Sequence, residues 1–170
     1  MINKNFDENN DSKKQCLQNL NYNSLISLWI TSFGLLMIGN FRETENMFVH
    51  IIGFFVFWLP ITYYMFIMIK LNDNIDDYKN NNNNDIIIIK LLTWLSTITL
   101  SIFVISIPIS SYKHGNLLAN FDNQIRQHWP KNDSGYIWHT FGAINEWIGF
   151  LTLMLFFSLI GLRLRSFKYY

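Results

Sequence analysis

The stretch Ile86–Ile109 reads IIIIKLLTWLSTITLSIFVISIPI, and it decides the fold class. Its 24 residues contain one charged side chain, Lys90, close to the start. A helix needs about 20 mostly apolar residues to cross the hydrocarbon core of a bilayer. A soluble amphipathic helix would show a strongly polar stripe at helical spacing, and this stretch has none. It therefore predicts a transmembrane helix.

Three further segments share this character, and together the four predict an all-α polytopic membrane protein whose transmembrane helices form a bundle. The other segments are residues 24–41, 46–69 and 136–162, so that 86–109 is the third helix in chain order. Half of the 170 residues are hydrophobic and 15% are charged, whereas a soluble domain carries about 25% charged residues. The net charge of +1 provides no basic surface for nucleic acid.

The distribution of Lys and Arg predicts the orientation in the membrane. Four helices place both termini, and the connection between the second and third helices, on the same side. That side carries nine Lys and Arg residues and the opposite side carries four, so both termini should be cytoplasmic by the positive-inside rule. The predicted organisation is a polar cytoplasmic tail at 1–23 and a transmembrane domain at 24–167. Within that domain, 71–85 is an Asn/Asp-rich cytoplasmic loop and 110–135 is a lumenal or extracellular loop.

Polar residues within the predicted helices, or at their ends, are the main candidates for a site: Asn40, His50, His139, Asn145 and Glu146. Ionisable side chains at membrane depth are costly and usually face the interior of a bundle. One interpretation is a hydrogen-bond network that fixes helix packing, and the other is a proton, ion or metal site built from His50, His139 and Glu146. His139 and Glu146 are seven residues apart, unlike the i, i+4 spacing of helical metal motifs. No metal ligands and no catalytic residues are therefore assigned.

The predicted outer loop contains two further groups of candidate residues. The first is a motif formed by His114, Gly115, His128 and Trp129. The second is the glycosylation sequon Asn-Asp-Ser that begins at Asn132. This sequon lies very close to the fourth helix, so we do not expect efficient glycosylation.

Hydroxyl residues on the third helix predict where that helix packs. Thr93, Thr97 and Ser101 recur every four positions, with Ser96 beside them. Small hydroxyl side chains allow transmembrane helices to approach closely and to hydrogen-bond. We therefore expect this row to contact neighbouring helices.

Two groups of short motifs follow each other along the chain. The first reads Asn-Phe-Arg-Glu-Thr from Asn40 and His-Ile-Ile-Gly from His50. The second reads His-Trp from His128, Gly-Tyr from Gly135, His at 139 and Glu-Trp from Glu146. In this order and spacing they resemble the DRAM family, the damage-regulated autophagy modulators, which is grouped with the N-terminal domain of fungal Cwh-type proteins. The resemblance covers roughly residues 28–167, and Arg42 stands where the family usually has Gln.

The resemblance implies a polytopic protein of lysosomal, endosomal or plasma membranes that modulates autophagy or membrane-lipid organisation. It implies no catalytic mechanism and no cofactor. DRAM-like proteins are expected to have six helices, so the four predicted here would correspond to the last four. Two helices together cross the membrane once in each direction, so a family member without the first two keeps its other segments on the same sides. Cytoplasmic termini therefore remain the expectation.

Two functions from different classes are compatible with the residues. The chain contains no glycine-rich phosphate loop, no nucleophile elbow and no cysteine cluster. We therefore expect a protein that is not an enzyme and that binds the lipid bilayer and other membrane proteins or lipids. The alternative is a small transporter or a membrane-embedded enzyme that uses His50, His139 and Glu146.

The predicted orientation can be tested with epitope tags on both termini. Nine Lys and Arg residues against four place both tags in the cytosol. In sealed vesicles with the cytoplasmic face outward, protease should remove both tags without detergent. A tag that is digested only after detergent is added would contradict the orientation.

Overall fold

The protein is helical in almost all of the residues that its computed structural model describes, which are 2–41, 46–79, 84–116, 122, 124 and 128–166. Side chains are described between 11 and 74 and between 85 and 163 of these ranges. The helices are α1 (Ile2–Asn40), α2 (Met47–Lys79), α3 (Asn84–His114) and α4 (Tyr136–Ser166). Each contains a stretch that is long and apolar enough to cross a membrane. The predicted all-α membrane protein with four spanning helices is confirmed.

All four helices extend beyond the apolar segments that predicted them. α1 begins at Ile2 rather than at residue 24, and α2 ends at Lys79 rather than at residue 69. α3 continues to His114 and α4 to Ser166. The predicted tail at 1–23 is therefore helical from Ile2 onward. The predicted loop at 71–85 is helical at both of its ends, and residues 80–83 lie outside the described residues.

The physical reason for the longer helices is that a helix already formed in the membrane extends without a new nucleation step. Neither Gly nor Pro interrupts the chain between residues 2 and 33 or between residues 61 and 79. The 39 residues of α1 correspond to about 58 Å at about 1.5 Å per residue. This exceeds the total thickness of a bilayer, about 40–45 Å, so α1 also extends outside the membrane.

The chain divides into two compact units, Met1–Ile86 and Ile87–Tyr170. In the first unit, α1 and α2 approach closely at two glycines. A Cβ atom on Gly34 would collide with the backbone nitrogen of Phe57. A Cβ atom on Gly53 would lie 2.8 Å from the Cβ of Met37. Glycines at these positions let the two backbones approach, as is common between transmembrane helices.

The connection between α1 and α2 is held by hydrogen bonds on both sides of it. Asn46 caps α2, since its side-chain oxygen accepts a hydrogen bond from the backbone N–H of Val49 at 3.2 Å. In the first turn of α2, the Nδ1 atom of His50 donates to the carbonyl oxygen of Phe41 at 2.8 Å. This bond links α2 to the residue that follows α1.

In the second unit, the buried face of α3 differs from the predicted row of hydroxyl residues. Ser101 is exposed and Thr97 is only half-buried. The hydroxyl residues on the buried face are Thr93, Ser96, Thr99, Ser106, Ser110 and Ser111. An α-helix has about 3.6 residues per turn, so residues at every fourth position move progressively around it. Residues that stay on one contact face are instead spaced by three and four positions in alternation. On this face, a Cβ atom on Gly142 of α4 would lie 3.1 Å from the Cβ of Ser106.

Replacement of Gly34 by Ala tests the close approach of α1 and α2. The added methyl group would collide with the backbone of Phe57, so the helices must separate. We expect a loss of about 1–3 kcal/mol, as for overpacked cores, measured as a lower melting temperature in detergent. Gly39→Ala is the matched control, because a Cβ at 39 meets nothing within 4 Å. Equal melting temperatures for the two variants would show that the contact is unimportant.

Candidate functional site at the α3–α4 junction

α3 ends and α4 begins in an ordered junction formed by residues 110–116 and 128–139. Gly115 ends α3 with a left-handed backbone, φ +82°, and its N–H donates to the carbonyl oxygen of Tyr112 at 3.1 Å. Glycine adopts this conformation without the strain that a side chain would bring. Just before α4, the N–H of Asp133 donates to the carbonyl oxygen of Pro130 at 3.0 Å.

The carboxylate of Asp133 is the centre of this junction. Its Oδ1 atom accepts hydrogen bonds from the backbone N–H of Gly135 at 2.7 Å and from the indole Nε1 of Trp129 at 3.1 Å. Its Oδ2 atom accepts a hydrogen bond from Nδ1 of His114 at 2.7 Å. An ionised carboxylate can only accept, so Nδ1 carries the proton in this bond. One side chain thus links the end of α3, the connecting segment and the start of α4.

Three aromatic rings pack together at the junction, and two of them, His114 and Trp129, bond to this carboxylate. The indole of Trp129 is buried and stacks on the imidazole of His139, with ring centroids 4.6 Å apart and an interplanar angle of 18°. The imidazole of His114 meets the same indole edge-on at 5.1 Å. Trp129 therefore contacts both α3 and α4, and its polar atom is satisfied by Asp133, as buried indoles require.

Gly135 allows the junction to close around Ser110. A Cβ atom at this position would collide with the carbonyl oxygen of Ser110, and it would lie 2.9 Å from the Trp129 ring. Next to it, the hydroxyl of Ser134 donates to the carbonyl oxygen of Lys113. The residues before α4 are therefore joined to the last turns of α3 on two sides.

The same contacts determine the charge state of the site. The backbone N–H of Gly135 lowers the pKa of Asp133 below its ordinary value. The hydrogen bonds from His114 and Trp129 lower this pKa further, and partial burial opposes them. The side chains of His114 and Asp133 are 21% and 18% exposed, so the pair is partly protected from water. The carboxylate remains ionised at neutral pH.

Comparison with known proteins now gives the family. Residues 1–165 match the family model described as the Frag1/DRAM/Sfk1/Cwh43P N-terminal domain. The chain belongs to this family. The predicted resemblance to the DRAM family is thereby confirmed, and the match includes the polar first part of α1. Neither the curated proteins nor the solved structures contain a match to the chain.

In this Frag1/DRAM-family chain, the junction brings together four of the residues selected from the sequence: His114, Gly115, Trp129 and His139. His128, next to Trp129, is exposed. The candidate glycosylation residue Asn132 is also exposed. Of the predicted outer-loop motif, three residues thus form part of the junction, and His128 lies on its surface.

The other candidates hydrogen-bond to nearby backbone or lie elsewhere on the helices. Asn145 is buried and donates to the carbonyl oxygen of Phe141 at 2.8 Å. Asn40 donates to that of Leu36 at 2.7 Å. Glu146 is half-buried on α4, and the hydrogen-bond network predicted to join it to the other polar candidates stays a prediction. Among the described residues, no three His, Cys, Asp or Glu side chains lie together as a metal site requires.

Asp133 is the residue that sequence reasoning missed, since it was read only as the middle of a sequon. The signal that could have found it is local. An Asp two residues before Gly135 and three before the start of α4 is typical of a turn in which the side chain accepts a backbone N–H. A negative charge is also favourable at the N-terminus of a helix. The bonds of Asp133 to His114 and Trp129, by contrast, correspond to no recognisable pattern in the neighbouring sequence.

Substitution of Asp133 tests its central role. Asp133→Ala removes the acceptor for three donors, and Asp133→Asn keeps one side-chain oxygen but loses the charge beside His114. We expect hydrogen exchange at the amides of Gly135 and Tyr136 to be slowest in the wild type, faster in D133N and fastest in D133A. Asp122→Ala is the control, because the Asp122 side chain accepts from the nearby N–H of Gln124.

The pH dependence of the same experiment has a defined sign. The pKa of Asp133 is lowered in the fold, so its stabilisation is complete above the ordinary pKa and is lost as the pH falls through the lowered value. The difference in amide protection between wild type and D133A should therefore persist from pH 7 to about pH 5 and should disappear under stronger acid. A difference that vanishes by pH 6 would contradict the assignment.

Proposed function

We propose that this protein is a non-enzymatic membrane protein that modulates autophagy or membrane-lipid organisation by binding lipids or other membrane proteins. It acts in a lysosomal, endosomal or plasma membrane, with both termini in the cytoplasm. Its membership of the Frag1/DRAM family supports the first part of the proposal. The excess of Lys and Arg on one side of the membrane supports the orientation.

The observation that carries the proposal is the use of the polar motif residues as structural links. Both carboxylate oxygens of Asp133 accept hydrogen bonds from groups that join α3 to α4. The Trp129 ring contacts two imidazoles. The polar groups of these residues are thus engaged in contacts that hold the junction in one shape, which supports a role in presenting a surface to lipids or partner proteins.

The helix surfaces provide the means of contact with other molecules. Large apolar side chains are exposed along each helix, including Trp29 of α1, Leu59 of α2, Trp94 of α3 and Trp147 of α4. In a membrane such side chains contact lipid tails or the apolar faces of other transmembrane helices. Aromatic rings near the helix ends also suit the membrane–water interface. Both kinds of contact fit a protein that acts through lipids and partner proteins.

Glu146→Gln distinguishes this function from transport or membrane-embedded catalysis. A neutral amide can still hydrogen-bond, but it cannot transfer a proton. We expect E146Q to restore autophagic flux and membrane-lipid order as fully as the wild type in cells that lack the protein. The readouts are turnover of an autophagosome marker and the spectrum of a lipid-order probe.

Melting temperature and subcellular location of the variant serve as controls. An E146Q protein that folds, reaches the same membrane and fails to restore either readout would overturn the proposal and favour the transporter or enzyme. Cells in which loss of the protein changes neither readout would also overturn it.

A further inference from the structure

The sequon at Asn132 lies inside the α3–α4 junction rather than in a free loop. The Asn132 side chain is exposed on the side predicted to face the lumen, where N-glycans are added. Only Asp133, Ser134 and Gly135 separate it from the first residue of α4. Asn132 is four residues before Tyr136, and four extended residues span at most about 14 Å, so the acceptor cannot move far from the membrane while α4 is in place.

The other two residues of the sequon make hydrogen bonds within the junction, although the Ser134 side chain, like that of Asn132, is exposed. The Ser134 hydroxyl donates to the carbonyl oxygen of Lys113. The Asp133 carboxylate accepts from Gly135, Trp129 and His114. The acceptor motif requires a hydroxyl at its third position, so an enzyme that recognises the motif must contact that hydroxyl. In the closed junction, this group is directed to Lys113 instead.

We propose that Asn132 is a conditional glycan acceptor, withheld while the α3–α4 junction is closed and available when the junction is open. In the open state, the side-chain nitrogen of Asn132 bonds to the anomeric carbon of a pyrophosphate-linked lipid oligosaccharide. The nitrogen loses a proton, and the lipid pyrophosphate leaves with the bonding electrons. A glycan at Asn132 therefore marks chains in which the junction was open when they met the transferase.

The state of the junction can be changed without altering the sequon itself. Gly135→Ala places a methyl group against the carbonyl oxygen of Ser110, and His114→Ala removes one donor to Asp133. Both leave Asn132, Asp133 and Ser134 in place. Gly161→Ala is the matched control for an added methyl group, because a Cβ at 161 meets nothing within 4 Å.

Two further variants calibrate the measurement. Ser134→Ala destroys the sequon and gives the mobility of the chain without a glycan at Asn132. Ile125→Thr creates a new sequon at Asn123, near the middle of the segment between α3 and α4, which reports whether the transferase reaches this side of the membrane. All chains are expressed at full length in eukaryotic cells and compared on gels before and after endoglycosidase treatment.

We expect wild type and G161A to migrate like S134A, and I125T to show a shift of one glycan that the enzyme removes. G135A and H114A should each gain a shift, which the additional S134A change abolishes. The proposal is overturned if the wild type is fully shifted. It is also overturned if G135A and H114A stay unshifted while I125T shifts, since closeness to the membrane then excludes the transferase by itself. An unshifted I125T overturns it as well, because the loop is then not lumenal.

Discussion

Hydrocarbon offers no hydrogen-bond partner, and this constraint governs the membrane-spanning part of the protein. Many hydroxyl and amide side chains in the described helices hydrogen-bond to the backbone of the preceding turn. Thr31 donates to the carbonyl oxygen of Ser27, and Thr152 to that of Ile148, both at 2.7 Å. Such internal bonds leave few directional links for neighbouring helices. Helix pairing then depends on close packing, which the glycines of α1, α2 and α4 permit.

Directional bonds between elements occur instead where the chain leaves the hydrocarbon. His50 reaches back to the carbonyl oxygen of Phe41 between α1 and α2. Between α3 and α4, Asp133 accepts hydrogen bonds from three donors, one at the end of α3 and two in the segment before α4. Hydrogen bonds to a charged acceptor are stronger than those between neutral groups. The connections, rather than the helix faces, therefore carry the most specific polar contacts described in this protein.

Much of the fold, but little of the site, was predictable from the sequence. Apolar length predicts four helices because hydropathy reports contact with lipid. It does not report where a helix ends, so the polar part of α1 was missed. The role of Asp133 depends on His114, which is 19 residues away, and such a contact has no periodic signal. Asn145 donates to the carbonyl oxygen of Phe141 within its own helix, and apolar length does not report such a bond either.

The continuity of α1 has a mechanical consequence. No Gly or Pro interrupts the helix before Gly34, and residues 11–23 are mostly exposed. α2 and α3, by contrast, contain Pro60 and Pro108, where a helix bends more easily. α1 therefore behaves as a stiff lever whose buried face, from Ser24 to Gly34, lies in its C-terminal half. A molecule that tilts the exposed end would transmit that tilt to the contact at Gly34, with no joint between them to absorb it.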